Sequence, residues 1–232
     1  MAISEKDNKL ALASGANAYV YDLNAKKLSA PYAFTSPIKK IVLEDSKAVY
    51  LSDDKASVLS QYNAFDTAVT FNNITVSAVR FYNNNLYIID APKQQIYKSK
   101  GTGNAFGIPA TWIKDKKQAD LSKVIDLAID GDIYALTSDG KILKFYSGAL
   151  QEFSYQIAPS LIEPTKIETK LDYSNLYILD KTAKKIVILD KKGQLVKQLL
   201  FESLPNLNDF CVNEKDKMLY LISDNKIYSA KF

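Results

Sequence analysis

Pro164–Lys197, PTKIETKLDYSNLYILDKTAKKIVILDKKGQLVK, consists of short bursts of alternating apolar and polar residues set apart by turn formers. It reads as an inner strand at Thr165–Thr169, a turn at Asp172–Ser174, and a second strand at Leu176–Asp180. A turn at Lys181–Lys184, a third strand at Lys185–Leu189, a turn at Gly193 and an outer strand near Leu195–Leu200 complete the unit. Its central NLYILD has relatives elsewhere: AVYLSD, NLYIID, DIYALT and MLYLIS. These place Tyr50, Tyr87, Tyr134, Tyr177 and Tyr220 at one position, in steps of 37, 47, 43 and 43 residues. KLALAS at Lys9–Ser14 is a weaker sixth copy about one step upstream. A strand-rich period of about 40 residues is the mark of a β-propeller with one four-stranded blade per repeat. Six copies fill the 232 residues, so the expectation is an all-β, six-bladed β-propeller of four-stranded antiparallel blades. It would span residues 1–232 as one domain, with the repeated tyrosines in the blade cores.

The fourth copy repeats the plan with strands at Val124–Ile129, Ile133–Leu136 and Lys141–Tyr146, then an outer strand at Glu152–Ile157. Asp130-Gly131-Asp132 and Ser138-Asp139-Gly140 supply its turns. The third copy has strands at Ser77–Phe81, Leu86–Asp90 and Gln95–Lys98. The second has them at Lys40–Leu43, Val49–Ser52, Ser57–Tyr62 and Ala68–Asn72. With only 8 glycines, most turns fall to polar tips such as Asn83–Asn85, Asp53–Lys55 and Asp224–Lys226. The connection Trp112–Lys123 overruns the pattern and accounts for the 47-residue step; Lys114–Asp120 reads as a helical turn or a loop. The two ends match, Ala2–Asp7 (AISEKD) against Cys211–Asp216 (CVNEKD). The chain is therefore expected to begin within the inner strand of the first blade and to stop at the third strand of the last, Lys226–Phe232. An incomplete last blade fits a C-terminal fragment of a longer protein, whose upstream residues would supply the fourth strand.

Histidine is absent, and Cys211 is the one cysteine, set in the apolar run Phe210–Val212. That excludes Ser-His-Asp and Cys-His catalysis and the usual zinc and copper sites. Cys211 reads as a small buried hydrophobe. The net charge is +4, yet Arg80 is the only arginine and lysines stand beside acids, as in Lys114–Lys117 and Asp190–Lys192. Such a pattern is a solvated surface, not a nucleic-acid reader. No stretch approaches the roughly 20 apolar residues of a membrane span. MAISEKD lacks the apolar core of a signal peptide, so a soluble domain is expected, its compartment open.

The chemistry left is that of oxygen ligands, a hard cation held at the mouth of the central channel near the starts of the inner strands. The residues there are Lys39, Lys40, Ser77, Asp126, Glu163 or Lys166, Asn208 and Asp209. Asp126, Glu163 and Asp209 could serve a cation, but Lys40 and Lys166 in the same ring would repel it. A mixed polar channel is the favoured reading, with no metal site and no cofactor. Trp112, the only tryptophan, either packs the long connection or anchors a ligand. Trp112, Lys39, Asp126, Glu163 and Asp209 form the candidate ligand-binding set. The loops Thr35–Lys39, Asn72–Thr75, Pro159–Glu163 and Glu202–Asn208 are expected to join Trp112–Lys123 on one recognition face.

Asn175–Gly193, NLYILDKTAKKIVILDKKG, resembles the NHL repeat of six-bladed propellers. The family pattern is an apolar-Tyr-apolar strand ending in Asp, a turn, a basic residue, an apolar strand, then Asp and Gly. Here these are Tyr177, Asp180, Lys185, Ile186–Leu189, Asp190 and Gly193, with lysine where the family commonly has arginine. The third copy keeps Tyr87, Asp90, Ile96 and Tyr97, and the fourth keeps Tyr134, Ile142 and Gly148. A weaker similarity exists to YWTD and gluconolactonase-like propellers, and similar propellers end multi-domain bacterial proteins. The resemblance implies a non-catalytic binding propeller, a monomeric module of a larger protein taking a protein or polysaccharide ligand. No nucleic-acid partner and no membrane insertion are expected. The alternative it implies is a metal-dependent lactonase or lyase-type hydrolase.

Overall fold

The computed structural model describes residues 1–52, 55–60 and 64–232. Each repeat folds as one antiparallel sheet, giving an all-β chain of six blades. Two compact units carry them: Met1–Asp90 with Ile96–Thr111, and Ala91–Gln95 with Trp112–Phe232.

In the first unit, blade 1 consists of β1 (Ala2–Ser4), β2 (Lys9–Ser14), β3 (Asn17–Asp22) and a fourth strand in two pieces, β4 (Lys27–Leu28) and β5 (Tyr32–Ala33). Blade 2 is β6 (Lys40–Glu44), β7 (Lys47–Leu51), β8 (Lys55–Ser60) and β9 (Ala64–Thr70). Blade 3 is β10 (Ala78–Tyr82), β11 (Asn85–Asp90) and β12 (Gln95–Thr102), edged by β13 (Ala105–Phe106) and β14 (Ala110–Thr111). Asn83 and Asn84 turn β10 into β11 with φ of 47° and 57°, a left-handed pair that asparagine tolerates better than most residues. The turn expected at Asp53–Lys55, and the end of the strand expected at Ser57–Tyr62, lie outside the described residues. Val42, Val58, Phe81 and Ile88 help build a core cluster from blades 2 and 3, and Ala11, Val20, Tyr50 and Leu59 one from blades 1 and 2.

In the second unit, blade 4 is β15 (Val124–Ile129), β16 (Ile133–Thr137), β17 (Ile142–Tyr146) and β18 (Ala149–Gln151). Blade 5 is β19 (Pro164–Glu168), β20 (Asn175–Asp180), β21 (Lys185–Asp190) and β22 (Leu195–Leu200). Blade 6 has three strands, β23 (Asp209–Asn213), β24 (Met218–Ser223) and β25 (Lys226–Lys231). Two further clusters follow the same rule, Leu136, Ile167 and Val187 joining blades 4 and 5, and Tyr177, Ile188 and Phe210 joining blades 5 and 6. Burying such side chains contributes about 1.5–3 kcal/mol each, so packing on its neighbour adds to what each blade gains from its own ladder.

The repeated tyrosines take one register position. Tyr50, Tyr87, Tyr134, Tyr177 and Tyr220 sit opposite Ile41, Arg80, Ala128, Glu168 and Cys211. The first four are buried and Tyr220 is half-buried. The matched ends also build one turn twice. Asp7 N–H donates to Ser4 Oγ at 3.1 Å, Asp216 N–H donates to Asn213 Oδ1 at 3.0 Å, and Asn8 and Lys217 each follow with φ of 53°.

Two outer strands begin earlier than expected, and that of blade 2 is Ala64–Thr70 against the expected Ala68–Asn72. The outer strand of blade 4 is Ala149–Gln151, and residues 152–157 pair with no strand. Ser147 and Gly148, with φ of 49° and 80°, reverse the chain at once after β17, so pairing begins earlier than the alternation of 152–157 implied. The segment then crosses to blade 5. Gly193, at φ 87°, lies so near that a Cβ there would stand 2.2 Å from Ser154 O, and Gln198 Nε2 donates to Ala158 O at 3.0 Å.

Candidate functional site

On the inner strands of the second unit, Asp126, Lys166 and Asp209 each stand two residues before the partner of the repeat tyrosine. Lys166 Nζ lies 2.8 Å from Asp209 and 3.6 Å from Glu168, and donates to Phe210 O at 2.5 Å. Burial works to lower the Lys166 pKa, but Asp209 and Glu168 outweigh it and hold the ammonium above its usual value. Asp126, 4% exposed, accepts from Ile167 N–H at 3.0 Å, tying blade 4 to blade 5. Cys211 is fully buried, which pushes its thiol up and leaves it no nucleophile. A hard cation needs about six oxygen ligands with lone pairs to give. Here the acids serve a lysine and backbone N–H groups, and among the described residues no three acidic or thiol side chains are grouped to hold an ion.

The other sequence candidates are not on these inner strands. Glu163 is exposed, before β19; its N–H donates to Asp180 at 3.0 Å and its carboxylate accepts from Thr182 Oγ1 at 2.6 Å. Trp112 is half-buried at the start of the long connection. That connection is pinned along its length. Ile113 N–H donates to Gln95 at 3.2 Å, Leu121 N–H donates to Gln94 at 2.7 Å, Lys114 N–H donates to Gly148 O at 3.1 Å, and Gln118 accepts from Leu150 N–H at 2.7 Å. Its one regular element is a 3-10 turn at Lys116–Gln118. Lys39, in the first unit, has an exposed side chain while its N–H prolongs the β6–β7 ladder onto Leu51 O at 2.8 Å.

The motif residues of blade 5 hold turns. Asp180 accepts from the N–H groups of Ile162, Glu163 and Ala183 at 2.8–3.2 Å. Lys185, buried, donates to Pro159 O at 3.0 Å, and Asp190 accepts from Lys192 and Gln194 N–H, both at 2.8 Å. Glu214 accepts from Ser174 N–H at 2.6 Å, Asn175 Nδ2 at 2.8 Å and Tyr177 O–H at 2.7 Å, locking blade 6 to blade 5.

An open concave surface of the second unit is on blade 4, where 152–157 leaves the sheet. A cleft of about 620 Å³ lies between Ile142 and Leu143 of β17 and the wall formed by Phe153, Tyr155, Ile157 and Leu161. β18 covers β17 only from Lys144 onward, so Ile142 and Leu143 have no strand beside them on that side. Tyr155 O–H donates to Gly140 O, and its burial, with the charge of Asp139 added, pushes the phenol up to about 12. Asp139, at the rim, accepts from Thr137 Oγ1 at 2.6 Å and from Lys123 at 3.0 Å, which pull its carboxyl down to about 2. Sequence reasoning missed this cleft. Its signal was the Ser147-Gly148 pair, which shortens the outer strand.

No family model matches the chain, and no curated protein matches it by sequence. Solved structures do. A chain of Kuenenia stuttgartiensis hydrazine synthase superposes with a TM-score of 0.70 at 10% identity, covering 100% of this chain and 94% of that one. A chain of the nidogen/laminin complex gives 0.66 at 12% identity, over 87% and 79% of the two chains. Streptogramin B lyase gives 0.58 at 12% identity, over 100% and 81%. At such identities the likeness establishes the fold, the six-bladed β-propeller, and leaves function to the site.

Proposed function

We propose that this chain is a non-catalytic binding propeller that takes an extended stretch of protein in the blade 4 cleft. The observation that carries this reading is the partly uncovered edge of β17 at the floor of that cleft. Among the described residues no strand pairs with Ile142 and Leu143 on that side, which leaves room for a strand laid beside them, and Phe153, Tyr155 and Ile157 offer apolar surface for alternate side chains. None of Trp112, Lys39, Asp126, Glu163 and Asp209 is among the residues lining this cleft. The hydrolase alternative would need carboxylates turned toward a cation, and Asp126 and Asp209 are engaged elsewhere.

The test is to pan a phage-displayed random peptide library against the wild-type chain and to counter-screen the enriched clones on Leu143→Arg and Gln156→Arg. Enriched clones should lose binding to both variants while the variants keep the wild-type Tm. Failure to enrich above an albumin-coated surface, or clones indifferent to both substitutions, would overturn it. A rise in Tm with calcium, magnesium or manganese would instead favour the hydrolase.

A further inference from the structure

We propose that the outer edge of β22 is a self-association surface, on which two copies of this chain join blade 5 to blade 5 as one continuous antiparallel sheet. β22 is the fourth strand of its blade, and among the described residues no strand lies on its outer side. Outer strands are ready templates for pairing, and proteins blunt them by breaking, shortening or charging them. Blades 1 to 4 follow that rule. Blades 1 and 3 are edged by two-residue pieces, set around Pro31 and around Gly107 and Pro109. β18 has three residues, and β9 carries Asp66. β22 departs from the rule. Its LVKQLL runs for six residues with one charge, and Leu195, Val196 and Leu200 are 43%, 56% and 60% exposed.

That the occupant is a second copy follows from how this edge matches itself. Phe201 N–H donates to Lys184 O at 2.8 Å, toward β21. Backbone groups alternate in direction along a strand, so Gln198 and Leu200 turn theirs to the open side. Two identical antiparallel strands related by a two-fold axis set one residue opposite its own copy. Centred on Gln198, each copy gives its Gln198 N–H to Gln198 O of the other, and Val196 of each stands opposite Leu200 of the other. Centred on Lys197, two lysines would stand directly opposite, which is destabilising. Charge at the two ends also favours a copy. Exposed Lys192 precedes the strand and exposed Glu202 follows it, so antiparallel pairing brings each lysine toward the other copy's glutamate. A two-fold contact of this kind closes on itself and stops at two copies. So short an edge buries less than a standard interface, and the dissociation constant should be about 10–100 µM.

The test is sedimentation equilibrium of the whole chain from about 5 to 500 µM, on the wild type and three variants. Val196→Lys and Leu200→Glu each change an exposed side chain, so both should keep the wild-type Tm while weakening dimerisation at least about tenfold. The double variant should recover to within about threefold of wild type at low salt, because the register sets position 196 of one copy against position 200 of the other. Within one chain these positions lie about 13 Å apart along the strand, too far to pair, so recovery reports the contact between copies. A wild-type chain that stays monomeric at about 500 µM, single variants that dimerise as tightly as wild type, or a double variant no better than the singles would overturn the proposal. A mass that keeps growing with concentration would overturn it too, since that marks open-ended pairing instead of a closed pair.

Discussion

Glu214→Ala should be among the most damaging single substitutions in the second unit. The carboxylate accepts from Tyr177 O–H, Asn175 Nδ2 and Ser174 N–H, and the variant removes all three acceptors at once. A buried donor left without a partner costs about 1–3 kcal/mol. Tyr177 is fully buried and bears that cost in full, while the exposed Ser174 and half-buried Asn175 can turn to water. The sum is about 3 kcal/mol, or a fall in Tm of about 6–12 °C for a chain of this length. Glu214→Gln keeps one acceptor and should cost about half as much. Urea unfolding followed by circular dichroism measures both, and Tyr177→Phe supplies the partner for a double-mutant cycle. The two single losses should exceed the double loss by about 1–2 kcal/mol, since each removes the same bond. A Glu214→Ala loss below about 1 kcal/mol, or strict additivity with Tyr177→Phe, would refute the claim that this carboxylate joins blades 5 and 6.

Gly193→Ala should destabilise by about 2–4 kcal/mol in urea unfolding, because it puts a Cβ at left-handed φ and against Ser154 O. Lys166→Met removes a cation that pairs with Asp209 and Glu168; with Asp209 partly solvated, the cost should be about 2–3 kcal/mol, and Asp209→Asn should recover part of it in the double variant. Stability should also fall at alkaline pH. Burial raises Tyr134, Tyr155 and Tyr177, with Tyr155 at about 12 against an ordinary 10.0. Their protons are held more tightly folded than unfolded, so this stabilisation is intact below about pH 10 and lost as pH rises through 12. Tyrosinate absorbance should show these rings among the 15 tyrosines titrating late, together with unfolding; full titration of a still-folded chain near pH 10 would contradict the burial assigned to them.

Much of the fold was legible because strand alternation and the fixed tyrosine position are local facts, and each blade is built from neighbours in sequence. The strand expected at 152–157 shows the limit. Its apolar alternation is real, since Phe153, Tyr155 and Ile157 pack on the core of blades 4 and 5. Alternation says which face is buried, however, and not which edge supplies the hydrogen bonds. That was decided by Ser147-Gly148 and by the close approach at Gly193. The candidate site was legible in part. Lysine beside acid on the inner strands was foreseen, and Lys166 does meet Asp209. Glu168 escaped notice because its role depends on register between blades, and the cleft because a concavity is made by what the chain fails to cover.

The bonds between blades of the second unit have a consequence for how it comes apart. Asp126 to Ile167, Tyr173 to Val212 and Glu214 to Tyr177 span 41, 39 and 37 residues, and each reaches the adjacent repeat. Such a chain behaves as a row of dominoes coupled to nearest neighbours, and its folding is described by one intrinsic term per repeat and one per junction. Damage at a junction then loosens the two repeats that share it before it is felt further along. Hydrogen exchange in Glu214→Ala should accordingly rise first in blades 5 and 6 and only later in blade 4, so that the strength of each junction can be read from the order in which the blades open.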